Sequence, residues 1–298
     1  MSRGRSRPRA APAAAAFLLA FLGSHPAYAL DWPVTSRIVT GTFGEDRGDH
    51  FHDGIDIGGG SQEVHAVLPG ELVFRYDEGA DYTSLPRGAG SFVVLRHEQH
   101  IRTLYAHLQA GSLGPVRERF EPPDRLGIIG ETGHASGPHL HFTVFDEEAG
   151  STVNPLEFLP PVSDRQAPVI RRLFARVGER LVALEDGAAL QVGRTEILAE
   201  TYDLREDVAF RWPLAPAAVS LSLDGKEVSR LSFDSLQVRQ GRSVLGGSLR
   251  SRDQVWDDAG LLVCGSVELR QGESLLRLAA RDLAGNETVR TVSISIHP

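Results

Sequence analysis

Cysteine is nearly absent from this 298-residue chain; Cys264 stands alone. A single thiol excludes an intramolecular disulfide, so stability must come from packing and from any bound ion. Its setting, Leu-Leu-Val-Cys-Gly, is apolar and reads as a buried structural thiol. Long apolar runs are missing too. Nothing after residue 29 is apolar enough to span a bilayer, which takes about 20 residues, so an integral membrane protein is not expected. Positive charge is also in short supply. The 31 basic residues face 39 acidic ones, for a net charge of −8. Such a field argues against nucleic-acid binding. The second half holds no histidine before His297, hence no evident metal site, and the chain shows no internal repeat.

What is present begins at the amino end. Arg3, Arg5, Arg7 and Arg9 precede an apolar run over 10–23, and Ala27-Tyr28-Ala29 reads as a cleavage site. This is the pattern of a secretory signal peptide over residues 1–29, with an apolar core too short to span a membrane. The chain is therefore expected to be exported, to a periplasm or the extracellular space. No cysteine near the cleavage site offers a lipid anchor.

Nine of the eleven histidines fall between His50 and His141. A solvated surface gives no reason for that concentration. Gly137-Pro138 argues against a helix before His139-Leu140-His141, and Phe142-Thr143-Val144 after it favours a strand. Residues two apart in a strand share a face, so His139 and His141 point the same way. Upstream, His52-Asp53-Gly54-Ile55-Asp56 runs into Gly58-Gly59-Gly60 and is also a poor helix. In an extended chain His52 and Asp56 project to one side and Asp53 to the other. Two imidazoles and a carboxylate from neighbouring strands suit a divalent metal, and catalytic zinc typically takes three such ligands plus a water. By parity His50 shares the face of His52, so spacing alone does not choose between them.

The chain resembles the lysostaphin-type (LytM-like) zinc peptidases, which cut peptide bonds in bacterial peptidoglycan. The resemblance runs from about Trp32 to Leu159. It includes Phe43-Gly44, the His52-x-Gly54-Ile55-Asp56 block, Val64-x-Ala66 and Gly70. It continues through Val93-Val94-Leu95-x-His97, Thr103-x-Tyr105-Ala106-His107-Leu108 and Ile129-Gly130-x-Thr132-Gly133. It closes with Ser136-Gly137-Pro138-His139-Leu140-His141-Phe142 and Asn154-Pro155-Leu156. The resemblance implies that His52, Asp56 and His141 are the metal ligands and zinc the cofactor. It implies catalytic roles for His107 and His139 beside the metal, one as proton acceptor and one as oxyanion stabiliser, without saying which is which. It also implies a compact antiparallel β domain with a groove over the metal. Two departures stand out. Thr143 occupies a position where many relatives carry Glu, and it is read as no ligand. The loop over 77–91 is longer than the family's short turn and bears on substrate preference.

Strands are expected over 71–76, 91–96 and 101–105, and a loop over 113–126. Of the remaining histidines, His97 is expected to support the strand pair and His134 to be a loop residue without a role in the chemistry, with contact to substrate as the alternative. His50, His65 and His100 are expected at the surface or behind the ligands, and Tyr105 to pack under the groove. Leu159-Pro160-Pro161 ends the region, and 162–167 reads as a polar joint. The remainder alternates like strands at roughly 8–12-residue spacing, with Asp224-Gly225 as a hairpin turn and Asp282-Leu-Ala-Gly285-Asn286 before a last strand. It loosely resembles immunoglobulin-like modules. The expected architecture is all-β: a signal peptide over 1–29, a lysostaphin-type zinc peptidase domain over 30–161, and an immunoglobulin-like β-sandwich over 162–298.

The expected function is a secreted zinc metalloendopeptidase acting on peptide stems and cross-links of peptidoglycan. The alternative is a non-catalytic peptidoglycan-binding or amidase-activating regulator on the same fold. The carboxyl-terminal domain is expected to dock to wall or a divisome protein, or to gate the groove.

Overall fold

The structure is a computed structural model and describes residues 29–80, 88–206 and 213–298. The expected signal peptide, apart from Ala29, lies outside the described residues. So does the middle of the loop over 77–91. Among the described residues, no helix is long and apolar enough to cross a membrane.

The architecture is all-β. The first half is built on an antiparallel sheet in which Gly70–Tyr76, Ser91–His97, Ile101–Leu108, Leu140–Asp146 and Ser151–Val153 lie side by side. Ile55–Ile57 pairs with Leu140–Asp146 and brings Val39–Gly41 with it. Alternation explains the core. In Ser91–His97 every second residue is buried, and Val93 and Leu95 join Tyr105, Phe142, Val144 and Leu108 under the sheet. Tyr105 is fully buried; its hydroxyl accepts from Val67 N at 3.2 Å and so packs rather than reacts. The segment over 113–126 is not all loop. Arg119–Phe120 pairs with Gly70–Glu71, and Arg125–Ile128 pairs with Glu63–His65.

The second half buries one core between a four-stranded and a five-stranded sheet. Leu173, Ile197 and Val267 from one sheet meet Leu221, Leu278 and Ile294 from the other, which makes a β-sandwich. The hairpin between Ala218–Leu223 and Lys226–Ser232 turns at Asp224 and Gly225, both with positive φ. That is the geometry a two-residue turn between right-twisted strands needs. Cys264 is buried in this core, where desolvation pushes its thiol up to about 12.

The two halves do not part cleanly at the joint over 162–167. The hairpin Ser235–Arg239 and Arg242–Leu245 leaves the second half's strand order and pairs with Ser151–Val153, lengthening the first sheet. In return, Phe43 and Phe51 from the first half are buried in the second half's core. Local pattern carries no information about such an exchange, because a strand reads the same whichever sheet it joins.

Candidate metal centre

Register brings the site together. Asp56 lies directly across from His141, between Ile55–Phe142 and Ile57–Leu140. Direct cross-strand partners sit on one face with Cβ atoms about 4.5–5.5 Å apart. His52 arrives from the loop before this strand. That loop passes so close to the sheet that a Cβ on Gly54 would lie 2.5 Å from Phe142 O, so only glycine fits there.

Three donor atoms converge. His52 Nε2 is 3.0 Å from Asp56 Oδ1 and 3.0 Å from His141 Nδ1, and His141 Nδ1 is 3.1 Å from Asp56 Oδ1. Ligands about 2.0–2.2 Å from a tetrahedral ion stand roughly 3.3 Å apart, so the triangle is within a few tenths of an ångström of that spacing. The three side chains are only 5, 11 and 13 % exposed, which limits screening by water.

Partners behind the triangle fix which atoms face it. His52 Nδ1 donates to Thr42 O at 2.8 Å, which leaves the Nε2 lone pair facing the site. His141 Nε2 lies 3.0 Å from Thr143 Oγ1 and 3.3 Å from Asp53 Oδ1, so it carries the proton and Nδ1 faces inward. Arg47 Nη2 donates to Asp56 Oδ2 at 2.7 Å and leaves Oδ1 to the site. Two lone pairs and a carboxylate oxygen at 3 Å repel one another unless something positive sits among them. The residues therefore fit a divalent cation. A proton answers the same demand: burial works against it, yet Asp53 and Asp56 push His141 up to about 9. Burial likewise opposes ionisation of Asp56, but His141 and His52 hold it well below the usual carboxylate range.

His107 and His139 stand beside the triangle. Their ring centroids are 4.8 Å apart, and His107 is 5.8 Å from His141. His107 reaches the site through a break in strand parity. Ala106, not His107, is the register partner of His141. A register shift between Ile101–Leu108 and its other neighbour, with His107 at φ 60, re-aims the ring. His107 Nδ1 donates to Thr132 O at 2.9 Å, and burial pushes the ring down to about 4, so it is neutral at pH 7. His139 Nδ1 donates to Gly137 O at 2.8 Å, and its Nε2 lies 3.6 Å from Asp56 Oδ1. Gly130 bridges the two: its N–H donates to His107 O and its carbonyl accepts from His139 N.

A family model described as Peptidase family M23 matches residues 50–155. Residues 50–155 are an M23 peptidase domain. Over 115 residues the chain is 32% identical to the DD-carboxypeptidase/endopeptidase Mpg of Neisseria meningitidis serogroup B, covering 38% of this chain and 24% of that protein. Over 157 residues it is 35% identical to an uncharacterized metalloprotease of Haemophilus influenzae, covering 50% of this chain and 28% of that one. The chain thus spans about a quarter of the length of these curated relatives. A zinc containing peptidase from Vibrio cholerae, known from a crystal structure, superposes with a TM-score of 0.34 at 23% identity, covering 43% of this chain and 38% of that chain. A second family model, which carries no description, matches residues 167–297.

Of the two histidines that parity left open, His50 is exposed and pairs with Asp49, while His52 is in the triangle. Asp53 does not point away as strand parity suggested. The chain loops through Gly54 rather than running extended, and this brings the Asp53 carboxylate to His141. Thr143 is no member of the triangle but holds the ring that is. His97 is buried between Pro69 O and Thr103 Oγ1, joining the strands it was expected to support. His65 bonds Pro123 O, and His100 and His134 are exposed. Thr42 and Arg47 escaped the sequence reading, and Thr132 appeared there only as part of a motif, with no role. Thr143 was noticed only as a departure from the family pattern, although it stands two residues from His141 on one strand face.

Proposed function

We propose that this protein is an exported, zinc-dependent endopeptidase that hydrolyses peptide cross-links of bacterial peptidoglycan. His52 Nε2, Asp56 Oδ1 and His141 Nδ1 would hold the ion. When bound, zinc acidifies water to a pKa of about 7 and polarises an amide carbonyl. The chain's own residues do the rest. Thr42, Arg47, Thr143 and Asp53 keep the donor atoms aimed inward. His107 and His139 each anchor Nδ1 on a backbone carbonyl and so exchange protons at Nε2. One accepts the proton of the attacking water and passes it to the departing amine; the other, when charged, steadies the oxyanion.

The observation that carries this reading is the 3 Å triangle with two proton-handling imidazoles beside it. The M23 match supports a peptidase, and the name of the Neisseria relative, a DD-carboxypeptidase/endopeptidase, supports cleavage within a peptide. The charged, apolar amino end supports export. The test is zinc stoichiometry together with mass spectrometry of fragments released from purified sacculi. His139→Ala is expected to keep zinc and lose about 10²–10⁴-fold in rate. His52→Ala is expected to lose both. Full zinc binding with no peptide released by the unmodified protein would favour a regulatory protein instead.

A further inference from the structure

The partners behind the metal ligands are carried on a loop whose outer side belongs to the other half of the molecule. Thr42, which orients His52, and Arg47, which holds Asp56, both lie between Val39–Gly41 and His52. Trp256 Nε1 donates to Gly44 O at 3.1 Å. Arg252 grips the Asp46 carboxylate with two bonds of 2.7 Å, and its side chain is only 11 % exposed. Ala215 N donates to Thr42 Oγ1 at 3.0 Å. Phe43 and Phe51 are buried with Phe233 and Trp256, and a Cβ on Gly44 would lie 2.3 Å from Phe233, so the contact leaves no room for slack. Among the described residues, the sandwich thus reaches the metal centre through one loop.

We propose that Arg252 and Trp256 are positioning residues of the metal centre: they hold the loop that aims His52 and Asp56, so the carboxyl-terminal sandwich is a working part of the catalytic site. The inference rests on the peptidase reading above. A paired, desolvated guanidinium–carboxylate fork fixes orientation as well as distance, which a lysine does not reproduce. Losing it frees the Asp46 corner of the loop, and the two ligands the loop serves sample poorer geometries. Residues one step behind metal ligands typically govern 10–100-fold of metal affinity.

The test uses the full chain with Arg252→Ala, Arg252→Lys and Trp256→Phe. Trp256→Phe leaves an aromatic ring beside Phe233 while removing the bond to Gly44 O and part of the buried indole. Leu278→Ala, buried in the sandwich core, serves as the stability control. Zinc dissociation constants come from chelator competition. Ligand geometry is read from the visible bands of the cobalt-substituted protein. Turnover is followed on cross-linked muropeptides. Arg252→Ala and Trp256→Phe are expected to weaken zinc by about tenfold or more, alter the cobalt bands, and lower kcat with KM unchanged. Arg252→Lys should recover less than half of the loss. Leu278→Ala should lower the melting temperature and leave the zinc constant and cobalt bands as they were. Wild-type zinc affinity and bands in both loop variants, or equal changes in Leu278→Ala, overturns the positioning role alone. An unmodified protein that binds no zinc overturns the peptidase reading with it.

Discussion

His141 shows how much one side chain depends on what stands behind it. Its Nε2 meets Thr143 Oγ1 and Asp53, and only that arrangement turns Nδ1 to the triangle. Replacing Thr143 with Val keeps the shape and removes the oxygen. Zinc affinity is expected to fall by about tenfold, measured by competition with a calibrated chelator. At this scale the sequence was partly legible. Thr143 shares a strand face with His141 and could be found by counting. Asp53 could not, because counting assumes an extended chain and Gly54 bends it. His107 is the harder case. Strand parity puts Ala106 opposite His141, and His107 enters the site only through a register shift that no residue pattern announces.

Among the elements, the hairpin Ser235–Arg239 and Arg242–Leu245 matters most, since it sits in the second half of the chain and extends the first half's sheet. Asn154 fastens the same corner, donating to Phe233 O at 3.0 Å. Leu236 is 3% exposed there and Val238 is 74% exposed. Leu236→Ala is expected to cost about 2–5 kcal/mol in urea unfolding, and Val238→Ala about 0.5 kcal/mol or less. Strand positions were legible from alternation and turn residues: the expected strands over 71–76, 91–96 and 101–105 all occur, and Asp224-Gly225 makes its hairpin. Which sheet a strand joins was not legible, because that choice depends on edges supplied from far along the chain.

The whole molecule is more integrated than a two-domain reading of its punctuation suggests. A fragment limited to residues 30–161 would expose Phe43 and Phe51, which are 1% and 2% exposed in the full chain. It would also lack the strand that pairs with Ser151–Val153. Such a fragment is expected to bind hydrophobic dye and lose cooperative unfolding, while the full chain unfolds in a single steep transition; calorimetry and dye fluorescence on both would check this. The joint between the halves also carries a pH dependence. Asp203 is buried near Asp282 and Asp164, and burial first, then the Asp282 charge, raises its carboxyl to about 7. Its unfolded value is near 4, so between about pH 4 and 7 the folded state binds the extra proton. Stability from this group is therefore greatest in acid and declines as pH rises to 7, then levels off. Asp203→Asn removes the decline. In calcium-free buffer it is expected to raise the melting temperature more at pH 8 than at pH 5.

Synthesis proceeds from the amino end, so His52, Asp56 and His141 all exist in the growing polypeptide long before Trp256 does. Until Arg252 and Trp256 arrive, the loop before His52 lacks the fork on Asp46 and the bond to Gly44 O. If Arg252 and Trp256 act as proposed, competence would wait for the sandwich to be made: a half-made copy would carry His52, Asp56 and His141 yet lack the brace that sets them.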